Sequence, residues 1–384
     1  MNNKLQDEKA FFSLMHPFLQ RIWKRSNFTE RTAIQREAIP LIFDGKDVIA
    51  ESPTGSGKTL AYLLPLLQIM EENSKNVQVV ILASSHELVM QIHQELQKWT
   101  EGSEFWSASL IGGASMKRQL EKLKKRPQFI VGTPGRIFEL IKQKKLKMHE
   151  VKTIVLDEGD QLLVPEHKNE IQSIIKSTLS DRQVVLFSAT LPQNIEDEAK
   201  SFMNNPKIIK IQEAKNQPNV EHVYVVCEQR DKIDVLRKMI RTEELKALVF
   251  VKEIGNLSVL AEKLQYKGSC VGVLHSDTKK QDRENAIKGF RSGIYPILLA
   301  TDVAARGLDI SDLTHVINLD LPKDVTQYVH RAGRTGRLGS ASAGTVISIV
   351  TPYEARLLAK YGRKLGIIIL KKELHKGKLI DARE

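Results

Sequence analysis

Ser52-Pro53-Thr54-Gly55-Ser56-Gly57-Lys58-Thr59 joins two glycines, a lysine and a threonine in the order that a phosphate-wrapping loop requires. Gly55 and Gly57 free backbone N–H groups to converge on phosphate oxygens, and a helix starting there presents its positive end. Lys58 is placed to reach β- and γ-phosphates, and Thr59 to ligate Mg²⁺. The strict pattern has Gly where this chain has Ser52, so the flanks carry the reading: the apolar run Val48-Ile49-Ala50 before, and Leu60 to Met70 after. A flexible glycine turn is the bland alternative.

Asp157-Glu158 follows the apolar run Thr153-Ile154-Val155-Leu156. One carboxylate at a strand end can hold Mg²⁺ through water while its neighbour orients or deprotonates an attacking water. A solvated strand end is the alternative, and the upstream loop weighs against it. Further along, His330-Arg331-Ala332-Gly333-Arg334-Thr335-Gly336-Arg337 spaces three arginines by three among glycines. At a helical start they are expected to form a dense cationic edge, able to stabilise charge on a transferring phosphate.

Such groups need a scaffold that delivers strand ends to one edge. Short Val- and Ile-rich runs recur through the chain: 48–50, 79–82, 129–131, 153–156 and 184–187, then 224–226, 248–251, 297–300, 316–317 and 346–350. They read as strands buried on both faces. Amphipathic stretches such as Glu87 to Trp99 and Leu257 to Tyr266 supply the crossovers, which makes the chain α/β with parallel sheets. The polar stretch Glu213 to Asn219 interrupts the pattern, so two domains are expected, 1–210 and 223–384, joined by a linker at 211–222. The tail after Gly362, with Lys371, Lys372, Lys376 and Lys378, reads as a solvated helix or a frayed end.

The 384 residues carry a formal net charge of +12, which favours a polyanionic partner such as nucleic acid. Cys227 and Cys270 stand apart and suggest neither a disulfide framework nor a zinc site. The first residues have no apolar core of signal-peptide type, and no apolar run reaches membrane-spanning length. A cytoplasmic protein with no membrane contact is expected.

These segments together resemble the DEAD-box RNA helicases of superfamily 2, in order and spacing, from about Phe11 to about Val350. Asn27 to Gln35 resembles the Q motif, and Ser52 to Thr59 motif I. Asp157-Glu158-Gly159-Asp160 resembles motif II and Ser188-Ala189-Thr190 motif III. Leu248 to Val251 resembles motif IV, Ala300 to Asp309 motif V, and His330 to Arg337 motif VI. The resemblance implies two tandem RecA-like domains, each a mostly parallel sheet with helices on both faces. It implies an ATP- and Mg²⁺-dependent enzyme in which Phe28 packs on adenine, Gln35 reads its edge, and Asp309 approaches the ribose. Arg334 and Arg337 would face the γ-phosphate. Asp160 and His330 would tie the nucleotide site to Ser188 and Thr190. RNA would meet Glu87, Gly112, Gly113, Thr133, Pro134, Gly135, Arg136, Arg283 and Thr301. A monomer is implied that melts short RNA duplexes with little sequence preference by closing a two-domain clamp, in ribosome assembly on ribosomal RNA or pre-ribosomal particles, or in cold adaptation.

The chain departs from the family pattern at several positions. Gly159 stands for Ala, which adds backbone freedom beside the metal-binding acids. Ser84-Ser85-His86-Glu87-Leu88-Val89 stands for Pro-Thr-Arg-Glu-Leu-Ala, and His86 gives up the permanent charge and two-pronged grip of arginine. Lys280 stands for Gln, Ala332 for Ile and Ala33 for Pro. Two alternatives stay open: a DNA helicase of the same superfamily, and a weakly catalytic, ATP-dependent RNA clamp.

Overall fold

A computed structural model describes residues 11–26, 28, 30–211, 220–242, 245–275, 277–305, 313–336 and 344–382. The chain divides into two compact units, Met1–Glu213 and Ala214–Glu384. Most of the expected linker, along with Asn27, Thr29, Asp309 and Arg337, lies outside the described residues.

Among the described residues, the first unit is built on seven strands: β1 (Val48–Glu51), β2 (Val79–Ala83), β3 (Ser107–Leu110), β4 (Phe129–Gly132), β5 (Thr153–Asp157), β6 (Gln183–Ser188) and β7 (Lys207–Lys210). Their order is β3-β4-β2-β5-β6-β1-β7, with every pair parallel. Parallel pairing forces a crossover between strands, and the helices that supply it cover both faces. Alternate residues of one strand therefore enter different cores. Val79 and Ile81 of β2 pack with Tyr62, Trp99 and Phe187 on one face. Val80 and Leu82 pack with Ile137, Ile154 and Leu186 on the other.

The second unit carries eight strands: β8 (Glu221–Val226), β9 (Ala247–Phe250), β10 (Val271–Leu274), β11 (Ile297–Ala300), β12 (His315–Asn318), β13 (Thr345–Val350), β14 (Leu370–His375) and β15 (Lys378–Asp381). They run β10-β11-β9-β12-β13-β8-β14-β15, parallel except for the antiparallel pair β14–β15.

That last pair corrects the reading of the basic tail. It is a hairpin, with Lys376 (φ 49°) and Gly377 (φ 85°) in the two-residue turn. Positive φ at both positions matches the twist of the flanking strands. Leu374 and Leu379 pack on the core, and Lys372 pairs with Asp381 at 2.6 Å.

Candidate nucleotide and RNA site

The phosphate loop leaves the end of β1 and enters the helix Lys58–Ile69. Its turn is left-handed at Gly55 (φ 77°) and Gly57 (φ 90°). A side chain at Gly57 would also collide with Gln35, because an added Cβ would sit 2.6 Å from Gln35 Nε2. The departure at Ser52 is absorbed locally. Ser52 is fully buried, and its hydroxyl donates to Ser56 Oγ at 2.7 Å, bracing the loop across its base. Lys58 Nζ donates to the carbonyls of Ser52 (2.7 Å) and Pro53 (2.8 Å). An ammonium resting on neutral carbonyls can exchange them for phosphate oxygens.

Gln35 is buried in the helix Ala33–Phe43, where its Oε1 accepts from Thr32 N (2.9 Å) and its Nε2 donates to Gly57 O (3.2 Å). It thereby fixes the loop, a contact that sequence reasoning did not anticipate. Phe28 is 43% exposed and stacks on Trp99 with ring planes 3° apart.

The acid pair ends β5. Asp157 is buried, and desolvation, aided by the charge of Glu158, pushes its carboxyl up to about 6 against the opposing pull of Lys58. Its oxygens accept from Tyr62 Oη (2.8 Å) and Glu158 N (2.9 Å). Tyr62 is a second residue that the motifs did not announce. A nearby cation would relieve the cost of ionising Asp157, so the site suits a divalent metal. Among the described residues no cluster of three or more His, Cys, Asp or Glu forms a protein-only metal cage. Magnesium does not need one, since it takes one or two carboxylates along with phosphates and waters.

Glu158 sits in the left-handed region (φ 56°, ψ 55°), a costly conformation for a side chain with a Cβ. Its Oε2 accepts from Ser84 Oγ at 2.9 Å. Beyond it, Asp160 N donates to Ser188 Oγ (3.2 Å), and Thr190 Oγ1 donates to Asp160 Oδ2 (2.7 Å). The structure thus brings Asp160, Ser188 and Thr190 together. At Gly159 an added Cβ would meet Leu186 at 2.7 Å. The departure from Ala is therefore matched by a bulky neighbour, and the spare backbone freedom is filled by packing.

The residues implied for RNA follow the neighbouring strand ends. Glu87 lies in the first turn of the helix after β2, Gly112 and Gly113 follow β3, and Thr133 to Arg136 follow β4. His86 approaches Gly112, where a Cβ would sit 3.6 Å from its Nε2. Arg136 pairs with Glu139 at 3.0 Å.

In the second unit, motif VI lies at a helix end instead of a helix start. Asp324 caps the helix Val325–Ala332, which stops at Gly333. Arg331 does not join a cationic edge. It is 2% exposed and grips Asp302 with two bonds of 2.7 Å. It also donates to Asn318 and to Asp320 O, and it covers the Phe250 ring. Burial demands that every donor be met, and this arginine is consumed in meeting its own. Arg334 is buried at 9%, and His330 is half-buried on the last turn. Arg283 donates to Ala304 O (2.8 Å), and Thr301 is buried beneath that turn.

A phosphate loop beside an acid pair, on the first of two mostly parallel sheets, defines an NTP-dependent enzyme of the tandem RecA-like class. The DEAD/DEAH box helicase family matches residues 32–198, and the helicase conserved C-terminal domain matches residues 231–339. The chain is 52% identical to the DEAD-box ATP-dependent RNA helicase CshC of Bacillus cereus, covering 96% of this chain and 94% of the relative. It is 55% identical to the probable ATP-dependent RNA helicase YfmL of Bacillus subtilis, covering 94% and 96%. Among solved structures, S. cerevisiae Dbp5 bound to RNA and ADP BeF3 superposes with a TM-score of 0.86 at 30% identity, covering 94% of this chain and 95% of that one. The chain belongs to the DEAD-box ATP-dependent RNA helicases. Among the described residues, no helix is long and apolar enough to cross a membrane.

Proposed function

We propose that this enzyme couples ATP hydrolysis to local melting of short RNA duplexes, or to remodelling of RNA–protein complexes, by closing its two units around both ligands. The observation that carries this reading is the convergence of Lys58, Asp157 and Glu158 at one sheet edge, with Gln35 braced against the loop. Lys58 trades its carbonyl partners for the β- and γ-phosphates, and Gln35 and Phe28 hold the adenine. Mg²⁺, held by Thr59 and Asp157, would neutralise charge on the phosphates. Glu158 orients the attacking water and takes its proton. Asp160, Ser188 and Thr190 relay the state of the nucleotide to the rest of the unit, and His330 continues that relay from the second. Arg334 and Arg337 supply the charge that stabilises transfer, and Asp309 the ribose contact.

RNA runs over the segments that follow β2, β3 and β4, with Arg283 and Thr301 contributing from the second unit. Contacts made through phosphates and 2′-hydroxyls give little sequence preference. A cytoplasmic monomer acting in ribosome assembly or cold adaptation is the physiological setting that fits. Comparing ATPase stimulation by RNA and by DNA of equal length tests the substrate class. Strong stimulation by RNA alone is expected, and equal stimulation would favour a DNA helicase.

A further inference from the structure

The phosphate loop, the acid pair and the first-unit residues implied for RNA sit at the C-terminal ends of the strands of the first sheet. Its opposite edge carries a separate feature. A cavity of about 380 Å³ opens between the segments that lead into β2, β4 and β5, lined by Lys75, Arg126, Lys145, Lys147, His149 and Glu150 among others. All four of Lys75, Arg126, Lys145 and Lys147 are exposed, and among the described residues none has a carboxylate within ion-pair distance. Beside them Trp106 is 52% exposed, with Lys125 Nζ lying 5.0 Å from its ring centre.

The surface is braced from below by one buried side chain. Gln128 is 4% exposed; its Oε1 accepts from Trp106 N at 2.8 Å, and its Nε2 donates to Ser74 O. Its side chain ties the segment before β4 to those before β2 and β3. Two cations also adopt backbone conformations that glycine would take at no cost: Arg126 (φ 54°) and Lys144 (φ 55°). Each lies just past a helix end, and helix C-termini favour cations. That effect accounts for Lys124, Lys125 and Lys142, but not for Lys75 and Lys147, which lie in loops, nor for an open indole.

We propose that this edge is a second RNA-binding surface, taking the phosphate backbone of RNA that flanks the segment held at the opposite edge, with Trp106 as a stacking face for an unpaired base. The proposal rests on the RNA-directed reading above. Unpaired cations around a cavity suit phosphates, and an exposed aromatic beside them suits a base. The five-residue strands between the two edges span about 17 Å, so only an RNA longer than the primary contact reaches both.

The test compares the full chain with a variant carrying Arg126→Glu, Lys145→Glu and Lys147→Glu, and with a milder Gln version that guards against misfolding. Each is titrated with a short single strand and with the same strand extended by a duplex. The unsubstituted chain should gain affinity from the extension, and the Glu variant should lose at least about tenfold of it. The dependence of log affinity on log salt should fall by about two to three. ATPase stimulation by the short strand should be unchanged, and photocrosslinks from the extended RNA should fall on peptides containing Trp106 or Lys125. Equal affinity of chain and variant for the extended RNA overturns the proposal. So does a variant that keeps RNA affinity but loses binding to a poly-glutamate peptide, which would make the edge a protein-docking surface. If no RNA stimulates the unsubstituted chain, the broader reading has failed and this proposal falls with it.

Discussion

Ser84 occupies the position where the resembled motif carries proline, and its hydroxyl reaches Glu158 Oε2 at 2.9 Å. Proline has no such donor, so this bond joins the segment proposed to meet RNA to the acid proposed for hydrolysis in a way the resembled motif does not allow. Ser84→Ala should lower kcat about tenfold, the worth of one hydrogen bond to a charged group, and leave KM for ATP unchanged. Ser84→Thr should restore it; a parallel loss of thermal stability in the alanine variant would instead mark the bond as structural. Gly159 makes a second residue-level test. Gly159→Ala should cost about 1–3 kcal/mol through overpacking against Leu186. Combining it with Leu186→Val should recover part of that cost in a denaturation double-mutant cycle, and strict additivity would contradict the account.

Elements rich in Val and Ile were legible in the sequence because burial on both faces leaves an unbroken apolar run, as in Thr153–Asp157. Of the five strands it missed, β10 (Val-Gly-Val-Leu) has the apolar run broken by Gly272, and the other four lack that signature. β3 reads Ser-Ala-Ser-Leu, β7 is an edge strand flanked by lysines, and β14–β15 alternate charge with Leu374 and Leu379. Motif VI was legible as a motif, but not in its placement at a helix end, because the cap at Asp324 lies outside the arginine-rich run. Arg331 shows the physical limit of reading charge from sequence: only the position of Asp302 reveals that it is spent. Asp302→Asn should therefore destabilise the second unit by about 3–5 kcal/mol, measured by chemical denaturation, since it leaves a buried guanidinium undercompensated. A pH effect belongs to the same unit. His222 on β8 shares a 2.8 Å hydrogen bond with Tyr328, and burial pulls its pKa down to about 4. The unfolded chain takes up this proton near pH 6.5 and the folded unit does not, so stability should fall as pH drops from about 6.5 towards 4. Thermal midpoints of the chain and of His222→Gln should converge over that window; a constant gap would contradict this.

Across the whole molecule, the residues proposed to bind the nucleotide lie mostly in the first unit, while the arginines implied for transfer belong to the second. The loop at Ser52 to Thr59 and the acids at Asp157 and Glu158 were legible as strand-end segments, and both do lie at the C-terminal ends of β1 and β5. The supporting contacts of Ser84, Tyr62 and Ser56 were not, since each depends on neighbours distant in the chain. If both units must close on ATP and RNA together, each ligand should tighten the other's binding by the same factor. The most direct measurement is hydrolysis by Arg334→Ala with and without RNA, alongside its affinity for ATP. The account predicts ATP binding within about threefold of the unsubstituted enzyme and loss of RNA-stimulated turnover by about 10³ or more, the range assigned to arginine fingers. Retained RNA-stimulated turnover, or lost ATP binding with normal turnover per bound nucleotide, would contradict it.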